Sequence, residues 1–327
     1  MRAGWYERTG SADDVITVGE MPTPQPGPGE VLVRLHASGI SPSDYKKRGN
    51  TKAGMEFPRI VPHSDGAGVI AALGKGVEKF TIGQRVWIFN GQWERPFGTA
   101  AEYIALPVFQ VRPLPQNMSF IEGACLGIPA MTSHRAVFMD GPVSGKTIYV
   151  PGAAGRVGAY AVQWAKWGGA RVIAEVGTAE KARAVTALGA DRVLLRGEDD
   201  PVAAVLDETG GVGADRIIEI EFGGNMPINE KIIAEGGVIA SYASARVPKA
   251  AISVSPRRAR NMSMHFVHCY TMSDAAKNTA AADIARIAAD GKFQHRIAAV
   301  FPLDQLARAH REAETQSGTG QMVVEIV

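Results

Sequence analysis

The segment from Gly145 to Ala243 most restricts what this chain can fold into. "KTIYVPG" reads as a short buried strand and "GAYAVQWAKWGG" as a helix with Val157, Tyr160, Ala161 and Trp164 on one face. "ARVIAEV" is a second strand, "TAEKARAVTALGA" a second helix and "DRVLL" a third strand; "DRIIEIE" and "GGVIASYA" continue the alternation. Strands alternating with helices imply a parallel sheet with helices on both faces. At the first strand–helix joint stands "VPGAAGRVGAY", with Gly152, Gly155 and Gly158 spaced G-x-x-G-x-x-G. A backbone that approaches a pyrophosphate must turn tightly, and the helix that follows must pack close to the strand. The strand before and the helix after these glycines are the context a dinucleotide-binding turn requires. Gly152, Ala153, Ala154, Gly155, Arg156, Val157 and Gly158 are therefore the candidate phosphate cradle.

The first third has a different character. "PTPQPGPGE" is a turn-rich connector, and "EVLVRLHASGI" alternates at period two, with Val31, Val33 and Leu35 on one face. "GAGVIAALG", "RVWIFN" and "AEYIALP" follow as short strands between Gly and Pro breaks. Ser119 and Glu122 form a capping-box pattern opening a helix through "MSFIEGACLGIPAMTSHRAVF". Beyond Arg260, "MSMHFVHCYTM" reads as a strand, "SDAAKNTAAADIARIAADGKF" and "LDQLARAHREAETQ" as helices and "QMVVEIV" as a closing strand.

At 327 residues the chain is long enough for two domains. Its net charge of +2 gives no nucleic-acid footprint, and Cys125 and Cys269 exclude a multi-cysteine zinc cluster. No apolar run approaches the roughly 20 residues of a membrane helix, and "MRAGWYERTGSADD" lacks the apolar core of a signal peptide. A cytoplasmic enzyme is the expectation.

"SGISPSDYKKRG", "PHSDGAGVI", "GIPAMTSHRAV", "GAAGRVGAYAVQWAK", "ALGADRV" and "GTGQMVVEIV" together resemble the medium-chain dehydrogenase/reductase superfamily, and within it the zinc-free quinone oxidoreductases of the zeta-crystallin-like group. The resemblance implies an α/β fold: a central parallel-sheet Rossmann domain, and a strand-rich GroES-like catalytic domain formed by both chain ends. The borders expected are 1–118 for the first catalytic part, 119–264 for the Rossmann domain and 265–327 for the C-terminal part, which carries a dimer strand. The nicotinamide would lie in the cleft between the domains.

His63 raises the question of metal. In the superfamily's zinc alcohol dehydrogenases the catalytic ligands align with Ser41, Ser64 and Ile128, and His63 falls one residue short of the ligand position. Neither serine nor isoleucine supplies the thiolate, imidazole or carboxylate that zinc takes. "GQWERPFGTAAEY" also lacks the cysteines of a structural zinc lobe. No metal is expected, and His63 reads as a loop histidine. "HFVHCY" offers a second set, with His265 and Cys269 on one strand face and His268 on the other; interface or core packing is the preferred reading.

Without a metal to take up an alcohol proton, the implied acceptor is a quinone or another conjugated carbonyl, reduced by hydride from NADPH. The resemblance places Ser41, Asp44 and Tyr45 beside the substrate, although Ser41 replaces the usual Asn and the Tyr spacing is one residue short. Asp44 could equally hold its loop through backbone hydrogen bonds. Thr132 matches a threonine near the nicotinamide ribose. His134 stands where relatives often carry Tyr; it could donate a proton or simply pack its helix. Arg135 and Asp140 read as solvated helix residues. Glu219 and Glu221 read as a helix-facing or loop-anchoring pair rather than an acid–base pair, and Ser241 and Tyr242 as residues along the cofactor.

For cofactor choice, Val176 holds the position at which NAD-preferring relatives carry an acidic residue. Gly177 and Thr178 leave room for a 2′-phosphate, and Lys181 and Arg196 are placed to meet it. A slip of one residue would instead bring Glu175 to the ribose. The alternatives to a quinone oxidoreductase are an NADPH-dependent enone or alkenal double-bond reductase and, in another class, a crystallin-like or RNA-binding protein. "SPRRAR", from Ser255 to Arg260, is a local basic cluster that reads as a solvated loop. A homodimer is expected, because "MSMHFVHCYTM" would otherwise leave an exposed sheet edge.

Overall fold

The computed structural model describes residues 1–252, 254–315 and 320–326; the side chains of Pro256 and Arg257, within the basic cluster, and Gly318 and Thr319, within the closing motif, lie outside that description. The chain divides into two compact units, Met1–Pro129 with Ala281–Val327, and Ala130–Ala280.

The first unit is organised by the long strand Glu30–Ile40, whose alternation buries Val31, Val33 and Leu35 completely. Burying each such side chain contributes about 1.5–3 kcal/mol. The strand pairs antiparallel with Asp65–Leu73, Tyr103–Pro107 and Gln321–Glu325. The last of these comes from the chain's other end, so both ends build one sheet, as the resemblance implies. Helix Leu306–Thr315 closes the unit by packing Leu306, Ala309 and Ala313 against Ala3, Ile40, Val61 and Met322.

The second unit holds a six-stranded sheet. Its strands are β1 (Thr147–Pro151), β2 (Arg171–Val176), β3 (Arg192–Leu195), β4 (Ala214–Glu219), β5 (Ile233–Ser241) and β6 (Ser263–Phe266). The spatial order is β3-β2-β1-β4-β5-β6, and every pair is parallel. This is the strand order of the doubly wound dinucleotide-binding fold. Helix α1 (Arg156–Trp167) follows β1, and α2 (Ala179–Ala187) follows β2.

Three expectations need correction. First, the helix through 119–138 is interrupted. Ser119 caps Phe120–Gly123 in the expected box, but one turn of π-helix, Leu126–Ala130, precedes the helix Met131–Phe138. The buried Asp65 carboxylate accepts the Ile128 amide there at 2.8 and 3.0 Å, and Pro129 has no amide to continue a regular ladder. That bond ties the segment to the first unit, which runs to Pro129. Second, "MSMHFVHCYTM" is a strand only over Ser263–Phe266; Cys269–Thr271 is a 3₁₀ turn. The strand joins β5 in the Rossmann sheet, and the second unit runs to Ala280. His265 and Cys269 consequently share no strand face. Third, Asp140 is not simply solvated: its carboxylate meets Arg216, whose side chain is 1% exposed, at 3.0 Å and His265 at 3.1 Å. Among the described residues no helix is long and apolar enough to cross a membrane.

Candidate functional site

The glycine turn fits a pyrophosphate. Gly152 ends β1 at φ +67°, a conformation that a side chain resists. The Ala153 amide donates to the Glu175 carbonyl at 3.0 Å and the Gly155 amide to the Gly152 carbonyl at 2.9 Å, tying the turn to β2 and to itself. Gly155 is the N-cap of α1. A Cβ at Gly158 would lie 2.5 Å from the Gly152 oxygen and 2.9 Å from the Ala153 Cα, so only glycine lets the helix pack this close. Ala153 and Ala154 are buried, while Arg156 and Val157 occupy the first helical turn, half-exposed. A helix N-terminus on a backbone-only cradle suits a diphosphate.

Val176 is buried, and its carbonyl accepts the Arg196 amide at 2.8 Å. A Cβ built on Gly177 would meet nothing within 4 Å. Thr178 caps α2 by accepting the Lys181 amide at 3.3 Å. Glu175 does not lie free on the surface: it is 7% exposed, and Tyr149 donates to one carboxylate oxygen while Arg196 Nε donates to the other. Burial and the neighbouring Glu175 charge push the Tyr149 phenol well up, so it remains a donor. Arg196 thereby spends one nitrogen. Its two terminal nitrogens, and Lys181 Nζ, make no hydrogen bond to protein among the described residues.

At the far end of the same sheet, Ser241 closes β5 and its hydroxyl donates to the Ala243 carbonyl at 3.2 Å. The Tyr242 amide donates to the Glu219 carbonyl, but its buried hydroxyl has no partner among the described residues. Such an orphaned donor beside β5 suits a bound polar group. Glu219 accepts Asn225 at 2.9 Å and Asn229 at 2.6 Å, and Glu221 accepts the amides of Ala245, Arg246 and Val247. Glu219 thus faces the helix Phe222–Ile232 and Glu221 anchors a loop, the two placements expected of the pair. Thr132 and His134 lie on the helix Met131–Phe138, both buried, with His134 edge-on to Trp164 at 5.1 Å and tilted to Phe138 at 4.9 Å. Of the two roles open to His134, this surrounding matches packing.

In the first unit, Ser41, Asp44 and Tyr45 come together at the start of the helix Pro42–Gly49. The Asp44 carboxylate accepts the Ser41 amide at 2.6 Å, a capping arrangement rather than a poised base. Tyr45 is half-buried, and its hydroxyl makes no hydrogen bond among the described residues.

His63 is no ordinary loop histidine. It is fully buried, at φ +76°, with Nε2 2.8 Å from His310 Nε2 and Nδ1 2.8 Å from Ser38 Oγ. Donor chemistry orders the chain. Arg48 Nε can only donate, at 3.4 Å, so His310 Nδ1 accepts and its Nε2–H donates to His63. His63 then donates to Ser38, Ser38 to Thr99 at 2.7 Å, and Thr99 to the Asp65 carbonyl at 2.6 Å. Arg48 is also paired with Glu314. Burial pushes His63 down to about 3 and His310 well below its ordinary value. Among the described residues no group of three or more His, Cys, Asp or Glu is arranged for a metal.

Tyr149, whose hydroxyl holds the Glu175 carboxylate, is not among the candidate residues that the sequence singles out. Its signal was a phenol inside an otherwise apolar buried strand, a hydroxyl that must find a partner. His310 and Arg48 carried no local signal.

The family described as alcohol dehydrogenase GroES-like domain matches residues 27–116, and that described as zinc-binding dehydrogenase matches residues 157–288. A quinone oxidoreductase of Homo sapiens is 29% identical over 309 residues, covering 93% of this chain and 92% of its own. Among solved structures, an NAD-dependent alcohol dehydrogenase superposes with a TM-score of 0.86 at 29% identity, covering all of both chains. A mycobacterial protein solved with NADPH gives a TM-score of 0.86 at 25% identity, again covering all of both chains.

Proposed function

Because this chain belongs to the medium-chain dehydrogenase/reductase superfamily, in its zeta-crystallin-like quinone oxidoreductase group, we propose that it is a zinc-independent, NADPH-dependent quinone oxidoreductase. The observation that carries the cofactor reading is a set of cationic nitrogens past β2 that make no hydrogen bond to protein among the described residues. Arg196, though ion-paired to Glu175 through Nε, keeps two terminal nitrogens and Lys181 its ammonium for an acceptor outside the protein, and a Cβ at Gly177 would meet nothing within 4 Å. A 2′-phosphate is a dianion that a guanidinium fork and an ammonium match.

NADPH would supply the hydride. The glycine turn from Gly152 to Gly158 would hold its diphosphate, Ser241 and Tyr242 would border it along β5, and Thr132 would meet the ribose. Tyr45, with an uncommitted hydroxyl, is the donor proposed for the acceptor oxygen, where negative charge develops. Ser41 and Asp44 would shape its helix. Ser41, Ser64 and Ile128 lack the donor chemistry of a zinc site, which favours an acceptor that is already electron-poor. A cytoplasmic location accompanies this reading.

The test is absorbance-followed oxidation of NADPH and NADH against a panel of quinones and alkenals, before and after chelation. Quinone turnover with NADPH that survives chelation is expected. Turnover of alkenals alone would move the assignment to a double-bond reductase. In the same assay Lys181→Ala and Arg196→Ala should raise the KM for NADPH about tenfold each, the loss of one charge-assisted contact, and spare NADH. Equal weakening of both cofactors would remove the pair from the ribose site.

A further inference from the structure

Glu175 is an acidic residue one position from the strand end where an NAD-binding protein presents a carboxylate to the ribose diol. Its side chain nevertheless turns back along the sheet. Tyr149 pairs in register with Ile173, two residues before Glu175, and Pro151 pairs with Glu175. Side chains two residues apart in a strand share a face. The Tyr149 ring, 1% exposed, therefore runs up that face and delivers its hydroxyl to Glu175 from inside the sheet. Arg196, one residue past β3, takes the remaining carboxylate oxygen from outside. Both oxygens are engaged by the protein, and the carboxylate aligns the guanidinium through Nε.

We propose that Tyr149 is a positioning residue that determines dinucleotide preference by holding Glu175 away from the ribose and in the service of Arg196. This rests on the nicotinamide-dinucleotide reading above. With the phenol in place, the diol meets no carboxylate, and the 2′-phosphate meets a guanidinium whose terminal nitrogens face outward. With the phenol removed, one carboxylate oxygen loses its buried donor. The side chain then gains by rotating outward, where the ribose hydroxyls become its donors and a 2′-phosphate its repulsive neighbour.

The experiment is calorimetric binding of adenosine 2′,5′-bisphosphate and of 5′-AMP, which needs no turnover, to the full-length protein and three variants. The wild type should bind the bisphosphate at least tenfold more tightly. Tyr149→Phe should shrink that preference about tenfold, with part of the change appearing as tighter 5′-AMP binding. Tyr149→Phe/Glu175→Gln should restore the preference to within about threefold of the wild type, because the released charge is gone. Glu175→Gln alone, which keeps an acceptor for the phenol, should leave 5′-AMP affinity within twofold. An unchanged preference in Tyr149→Phe, or the same shrinkage with and without Glu175, would overturn the proposal. So would a tenfold loss of 5′-AMP binding in Glu175→Gln. A wild type that binds neither ligand would instead sink the dinucleotide reading itself.

Discussion

Acid should destabilise the first unit through His63 and His310, and the size of the effect follows from their hydrogen bonds. Both rings are fully buried, and their facing Nε2 atoms, 2.8 Å apart, share one proton. A second proton there would place two N–H groups head to head, and Arg48 already occupies His310 Nδ1. The folded protein therefore keeps both rings neutral at pH 5, in accord with the value of about 3 for His63 and the strong depression of His310. In the unfolded chain each histidine titrates near 6.5. Below that pH the unfolded state binds more protons than the folded one, so stability falls as pH falls. Integrated from pH 7 to 5, the loss is about 2 kcal/mol per histidine, or about 4 kcal/mol for the pair. Asp65 works in the opposite direction: burial raises its carboxyl, so the folded state gains a proton first. A comparison with His63→Gln/His310→Gln cancels that contribution. Urea unfolding of both proteins at pH 7, 6 and 5 should give a wild-type curve that drops about 3–4 kcal/mol further than the variant's over this range. Parallel curves would mean that both histidines take up protons in the folded state as they do in the unfolded chain, and the directed chain from Arg48 to Asp65 would then be wrong.

Gly158→Ala would press a methyl group against the backbone of Gly152 and Ala153. A stability loss of about 1–3 kcal/mol is expected, with dinucleotide binding weakened, measurable by thermal melting and calorimetry. Phe266 is 72% exposed on β6, the outermost strand of its sheet beyond β5. An apolar edge of this kind invites pairing with a second copy, so light scattering should give a dimer for the wild type and a monomer for Phe266→Glu. A monomeric wild type at micromolar concentration would count against that edge as an interface.

What the sequence determined by itself is what neighbours along the chain can decide. The period-two burial of Val31, Val33 and Leu35, the parallel sheet, the tight glycine turn between strand and helix and the Ser119–Glu122 cap all follow from preferences within a few residues, and all are present. The anchoring roles of Glu219 and Glu221 were also legible, because the turn and helix beyond β4 offer donors to a carboxylate. The tertiary structure decided the rest. "MSMHFVHCYTM" ends its strand at Phe266, where pairing with β5 stops. Asp140 looks solvated until Arg216, 76 residues away, needs an acceptor. His63 gains its partner from 247 residues along the chain, and Glu175 its two donors from different strands. A buried polar group must be satisfied, but the chain itself does not say by whom. That choice depends on which strands and helices lie side by side, and it is what gives the Glu175 carboxylate its two protein donors.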